Sequence, residues 1–185
     1  QYYAGKLWVT SSLGLYEYDC QTGKHICHRN DAGDRYSLSD DYTTCLMWSD
    51  EGKSMWVGTS GGGINVHSSA SEDFRKYYRM ADGTSLDGSN VRCFAEDHQG
   101  RLWVGTENAG LLFVEAGSAL LKNYMPGEGL GAVKALQADG DRMWIGTNKG
   151  LWQLDLRSRR LQQPVSSVAD NPLCNRRILD LLKGS

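Results

Sequence analysis

Leu102-Trp103-Val104-Gly105-Thr106 returns three more times with small changes. The other copies are Leu7-Trp8-Val9-Thr10-Ser11, Met55-Trp56-Val57-Gly58-Thr59 and Met143-Trp144-Ile145-Gly146-Thr147. The four tryptophans are separated by 48, 47 and 41 residues. Self-similarity at a period of about 40–50 residues marks an array of one supersecondary unit. Around the Trp103 copy the unit reads as four strands. A first strand at 91–96 leads through the turn Asp97-His98-Gln99-Gly100 into the tryptophan strand at 101–105. The turn Glu107-Asn108-Ala109 then gives way to strands at 110–115 and 120–124. Four short antiparallel strands at this period make a propeller blade. The expected fold is all-β, a β-propeller with about four blades present.

The same order recurs along the chain. The second unit has strands at 43–48, 54–58, 63–67 and 74–78, with turns at Asp50-Glu51-Gly52 and Ser60-Gly61-Gly62 and a long loop at 81–89. The fourth has strands at 133–138, 142–146, 150–156 and 160–163. The first shows three, at 7–10, 15–19 and 25–28, with little room for an inner strand before Lys6. The repeats fall at about 1–42, 43–90, 91–131 and 132–174, and a further first strand is expected from Ile178 to Leu182, within 175–185. Closing a four-blade ring would require that last strand to pair with Lys6–Thr10; otherwise the chain is an arc of a larger propeller, the arrangement we favour. No stretch keeps apolar residues at helical spacing for three turns, so helical repeats are excluded. The repeated residues read as structural. The tryptophans fill wedges between blades and are expected to be mostly buried. Gly58, Gly105 and Gly146 admit a neighbour closely, and Thr59, Thr106 and Thr147 bond back to their turns.

Composition narrows the function classes. A net charge of −2 lacks the basic excess that nucleic acid or an anionic membrane surface would need. No apolar run reaches 18 residues. Of the five cysteines, Cys45 and Cys93 occupy one repeat position and read as small hydrophobes. Cys20 and Cys27 flank Gln21-Thr22-Gly23-Lys24 and could face each other across a hairpin, with a disulfide between them left open. The four histidines form no spaced ligand set, so neither a metal nor another cofactor is expected.

The stretch from Ala95 to Leu111, with its Asp-x-x-Gly turn, Leu-Trp-Val-Gly-Thr strand and following Gly-Leu, resembles the two-component-regulator propeller repeat. The resemblance extends in four copies over almost the whole chain; the first departs, with Thr10-Ser11 where the others have Gly-Thr. It implies a segment of a larger, periplasmic sensor propeller in a hybrid two-component protein, one that binds carbohydrate fragments and signals through a membrane helix to a kinase carried elsewhere. It also implies no catalysis by this segment and no membrane contact by it, and leaves a homodimer open to the parent protein.

Two other classes compete: a propeller enzyme such as a lyase, lactonase or glycosidase, and a protein-interaction scaffold. Polar groups near a propeller axis come from the starts of the first strands and the loops before them. Those places hold Thr43, Thr44, Asn90, Arg92, Val133, Lys134, Arg176 and Arg177, with no carboxylate pair for glycoside chemistry. The turns between second and third strands add Ser60, Glu107, Asn108, Asn148 and Lys149 on the same face. The expected ligand site is therefore drawn from Asn90, Arg92, Lys134, Arg176, Arg177, Glu107, Asn108 and Asn148, with Tyr42 or Tyr36 available to stack on a sugar ring. Two arginines and a lysine near one mouth suit an acidic sugar, a carboxylate or a sulfate.

Overall fold

The computed structural model describes the chain except residues 50–52, 69, 72, 78–79, 84, 87, 119, 125–128, 165–172 and 183–185. The expected turn at Asp50-Glu51-Gly52 and the end Lys183-Gly184-Ser185 lie outside the described residues. Among the described residues sixteen strands form four antiparallel sheets, each of four strands in sequence order. The first blade is β1 (Tyr2–Tyr3), β2 (Lys6–Ser11), β3 (Gly14–Asp19) and β4 (His25–His28). The second is β5 (Thr43–Trp48), β6 (Ser54–Thr59), β7 (Ile64–Ser68) and β8 (Phe74–Tyr77). The third is β9 (Val91–Glu96), β10 (Leu102–Thr106), β11 (Leu111–Val114) and β12 (Leu121–Asn123). The fourth is β13 (Val133–Asp139), β14 (Arg142–Thr147), β15 (Gly150–Asp155) and β16 (Leu161–Gln162). Among the described residues no helix is long and apolar enough to cross a membrane.

Two expectations about the ends are corrected. The first blade has its own inner strand: Tyr2 pairs with Leu7 and Tyr3 with Lys6, and Gln1 exchanges backbone hydrogen bonds with Trp8. The sharp turn at Ala4-Gly5, both at positive φ, lets so short a strand fold back. At the other end, residues 177–182 form no regular strand. Ile178 nevertheless donates its N–H to the Thr147 carbonyl and sets its side chain against Gly146. Val91 meets Gly58, and Val133 meets Gly105, in the same way. Residue 178 thus holds the starting position of a first strand.

The chain divides into two compact units, Gln1–Arg79 with Gly83–Val91 and Met80–Asp82 with Arg92–Ser185. In the first, Trp8 and Leu15 of blade 1 pack with Leu38 and with Met55, Val57 and Phe74 of blade 2. In the second, Trp103 and Phe113 of blade 3 pack with Val133, Met143, Ile145 and Leu154 of blade 4. Each of these tryptophans covers the apolar pair on the second strand of the following blade, and burial of such rings dominates a core's stabilisation. Trp8 and Trp103 are 4% and 2% exposed. Trp56 and Trp144 are only half-buried, short of the burial expected for all four.

The repeated glycine and threonine have the expected local causes. A Cβ on Gly58 would stand 2.6 Å from Cys45 Sγ and 2.7 Å from Val91 Cγ1, so only glycine lets the next strand approach. The hydroxyls of Thr59, Thr106 and Thr147 donate to the carbonyls of Gly63, Gly110 and Gly150 and accept N–H groups from within their own turns. Ser11 does the same for Gly14 and Leu13. This clasp fixes the turn between second and third strands in every blade. Cys20 and Cys27 are not joined by a disulfide.

Candidate ligand cleft

The clasped turns of blades 3 and 4 border an open polar cleft of about 550 Å³. Glu107, Asn108, Ala109 and Gly110 come from the turn after β10, and Asn148 and Lys149 from the turn after β14. Asn123 at the end of β12, with Gly129, Gly131 and Ala132, completes the lining. Asn148 holds the wall: its Oδ1 accepts the N–H of Ala132 at 3.0 Å, and its own N–H donates to the Ala132 carbonyl. A Cβ on Gly131, which has φ +71°, would collide with the Asn148 side chain, so glycine is needed for this close approach. Lys149 Nζ reaches the Gly129 carbonyl at 3.3 Å.

Glu107 is the electrostatic centre. Its Oε2 accepts Arg92 Nε at 2.8 Å and also Lys134 Nζ. The Lys134 hydrogen bond, reinforced by Arg92, outweighs partial burial and holds the Glu107 carboxyl below the ordinary carboxylate range. Glu107 therefore stands ionised at neutral pH, flanked by two cations, and the cluster of three keeps one net positive charge.

The sequence-derived candidates thus separate into groups. Glu107, Asn108 and Asn148 line one cleft. Arg92 and Lys134 pair with Glu107 and are not among the residues that line the cleft. Arg176 and Arg177 are exposed and do not line the cleft. Asn90, half-buried, and Tyr42, exposed, belong to the other compact unit, as do Ser60 and Tyr36, whose ring carries the Arg35 guanidinium at 4.7 Å. The sequence reading missed Asn123. Its signal was positional: it ends a fourth strand, beside the turn that carries Asn108.

Residues 85–108 match the family described as two component regulator propeller. The fold is similar to that of the extracellular domain of BT3049 from B. thetaiotaomicron, assigned to a hybrid two component system. That match has TM-score 0.72 and 22% identity, over 85% of this chain and 22% of the other. The extracellular domain of BT4673 from the same organism matches at TM-score 0.75 and 22% identity, over 96% of this chain and 23% of the other. PorZ of Porphyromonas gingivalis, a surface component of the type-IX secretion system, matches at TM-score 0.66 and 19% identity, over 96% of this chain and 28% of the other. The chain spans less than a third of the length of each of these proteins. No curated protein matches it by sequence. The four blades make this an all-β propeller chain, and its residues 85–108 match the two-component-regulator propeller repeat.

Proposed function

We propose that this chain is a ligand-sensing propeller module from the extracytoplasmic, periplasmic part of a two-component signalling protein, and that it recognises carbohydrate fragments without transforming them. The observation that carries this reading is the cleft between the turns of blades 3 and 4, where three asparagine side chains, one lysine and one ionised carboxylate converge. Amides present donor and acceptor together, the pattern that vicinal hydroxyls require. Among the described lining residues Glu107 is the only carboxylate, and Arg92 and Lys134 hold it ionised. A lone carboxylate fixed as an anion supplies neither the second carboxyl group nor the protonated acid of glycoside hydrolysis, which disfavours the enzyme reading. Lys149, the exposed cation of the lining, favours an acidic sugar.

Titration calorimetry on a panel of neutral and uronic-acid oligosaccharides tests this. An acidic fragment is expected to bind, more weakly as salt rises because exposed charges are screened. Asn108→Ala and Lys149→Ala are each expected to weaken binding by about 1 kcal/mol, the scale of one hydrogen bond. Binding that ignores both substitutions, or turnover of the sugar that survives repurification, overturns the reading.

A further inference from the structure

The two units each contain one joint between successive blades, and the same repeat positions build both. Strand pairing sets the correspondence. Trp8 pairs with Glu17 where Trp103 pairs with Phe113, and His67 pairs with Met55 where Leu154 pairs with Met143. His28 lies beside Leu15 where Tyr124 bonds to Leu111, and Lys6 precedes Leu7 as Arg101 precedes Leu102. In the second unit Phe113, Tyr124 and Leu154 close on Trp103 and leave only about 10 Å³ of space. In the first unit Glu17, His28 and His67 stand at those positions, and a cleft of about 500 Å³ opens. Replacing the closely packed Phe113, Tyr124 and Leu154 by Glu and two His residues at these positions costs packing. A fold that needed only a joint would repeat the closed solution.

The cleft is built around one carboxylate. The Glu17 side chain is 11% exposed; Oε1 accepts Lys6 Nζ, and Oε2 accepts His28 Nε2–H at 3.1 Å. An ionised carboxylate only accepts, so the proton of that contact lies on His28 Nε2. Burial alone would raise the Glu17 carboxyl, but hydrogen bonds from Lys6 and His28 outweigh it and hold it below the ordinary range. The walls are aromatic and apolar. Trp8 lies at the base, with His28 stacked on it at 5.8 Å and His67 tilted against it at 5.5 Å, while Ile26 stands at the rim, 56% exposed. Lys6 is the cation of the cleft: its side chain is 46% exposed and sits on a flexible stem. It lays an ammonium on a recessed carboxylate beside aromatic rings, the chemistry by which proteins hold organic cations.

We propose that this cleft is a binding site for an organic cation, a primary ammonium or guanidinium on a short aliphatic stem, and that Lys6 is its built-in competitor. The ligand's charged head takes the place of the Lys6 ammonium on Glu17, and its stem lies along Ile26 and Trp8. Lys6 swings into solvent at small cost, because its own side chain is already 46% exposed and the ligand's charge replaces it on Glu17. None of the residues involved belongs to the polar cleft between blades 3 and 4, so the two readings stand or fall separately.

The two partners of the internal ion pair give opposite outcomes, which a purely structural pair would not. The whole isotope-labelled chain is titrated with n-butylammonium, arginine methyl ester and spermidine, with n-butanol as the uncharged control. The readouts are the Trp8 indole and the His28 and His67 ring signals by NMR. Saturable shifts are expected with the cations and not with butanol. Glu17→Gln is expected to weaken binding about tenfold, the scale of one charged hydrogen bond. Lys6→Gln is expected to tighten it at least about threefold by removing the competitor. The Lys6 variant changes an exposed side chain and remains informative if Glu17→Gln misfolds. Absence of saturable shifts with all three cations, equal binding of butanol, or weaker binding by Lys6→Gln overturns the proposal.

Discussion

Asp97 offers the sharpest test of how a blade is held. Its carboxylate is fully buried and accepts four N–H groups. Oδ1 takes the backbone N–H of Gln99 and of Arg101, closing the turn before β10. Oδ2 takes Arg101 Nε and the Trp103 indole N–H, each at 2.7 Å. One side chain thus fixes the turn, neutralises a guanidinium that is 8% exposed, and orients the wedge tryptophan. Asp97→Ala leaves that cation buried and unpaired and the indole N–H without its acceptor. Breaking one side of a buried pair costs about 3–5 kcal/mol. Asp97→Asn keeps the shape and the turn acceptor but loses the charge, for an expected loss of about 1.5–3 kcal/mol. Urea unfolding followed by tryptophan fluorescence measures both. The pH dependence follows from the same contacts. Burial alone would raise the Asp97 carboxyl, but hydrogen bonds from Trp103 and Arg101 hold it below its ordinary 3.8. A depressed carboxylate contributes its stabilisation fully above the unfolded value and loses it as pH falls through the folded one. The gap between wild type and Asp97→Ala should therefore stay constant from about pH 8 to about pH 5 and narrow only in stronger acid. A change below about 0.5 kcal/mol in both variants, no more than an ordinary surface substitution, would refute the reasoning.

Two further outcomes follow from the packing. Gly58→Ala places a methyl 2.7 Å from Val91 Cγ1 and should cost about 1–3 kcal/mol, read as a lowered midpoint by thermal circular dichroism. Trp103→Ala empties a closed wedge and should cost about 3–5 kcal/mol, whereas Trp144, half-buried beside Leu181 and Leu182, should cost about 1–2 kcal/mol by the same urea assay.

The blades were legible because a propeller repeats its physics. Each tryptophan strand needs a glycine where the next blade's first strand crosses it, and a hydroxyl to clasp the turn that follows, so three residue types recur at fixed spacing. The departure in blade 1 keeps the hydroxyl but not the glycine: Ser11 supplies the clasp, and Thr43 bonds to Ser11 and Gly14 where the next two joints place valine on glycine. What could not be read was strand length where few hydrogen bonds decide it. Tyr2–Tyr3 qualifies as a strand because the Ala4-Gly5 turn returns the chain onto Lys6 and Leu7, and no alternation can show in two residues. The opposite error at 177–182 has the same root. Likeness to the first strand of the third blade describes which side chains want burial, and Ile178 finds it against Gly146, but a strand also needs a continuous run of backbone pairing.

The candidate site shows the same division between local and pairwise information. Strand order put Glu107, Asn108 and Asn148 at equivalent turns of successive blades, and adjacency then followed from the repeat. The charges did not follow, because their pairing joins residues from different strands and blades. Arg92 and Lys134 occupy one position in consecutive blades, the second residue of the first strand, and the turn residue Glu107 lies within reach of both. Two cations 42 residues apart in sequence become one ion cluster on a carboxylate that is central only in three dimensions. The repeat that makes a propeller readable also brings unlike residues from different copies together at one position. Function in such a fold is therefore written in the differences between copies: Glu17 for Phe113, His28 for Tyr124, Glu107 where blade 4 has Asn148. Those differences are visible in the sequence, but which partner gives each its meaning is visible only in the structure.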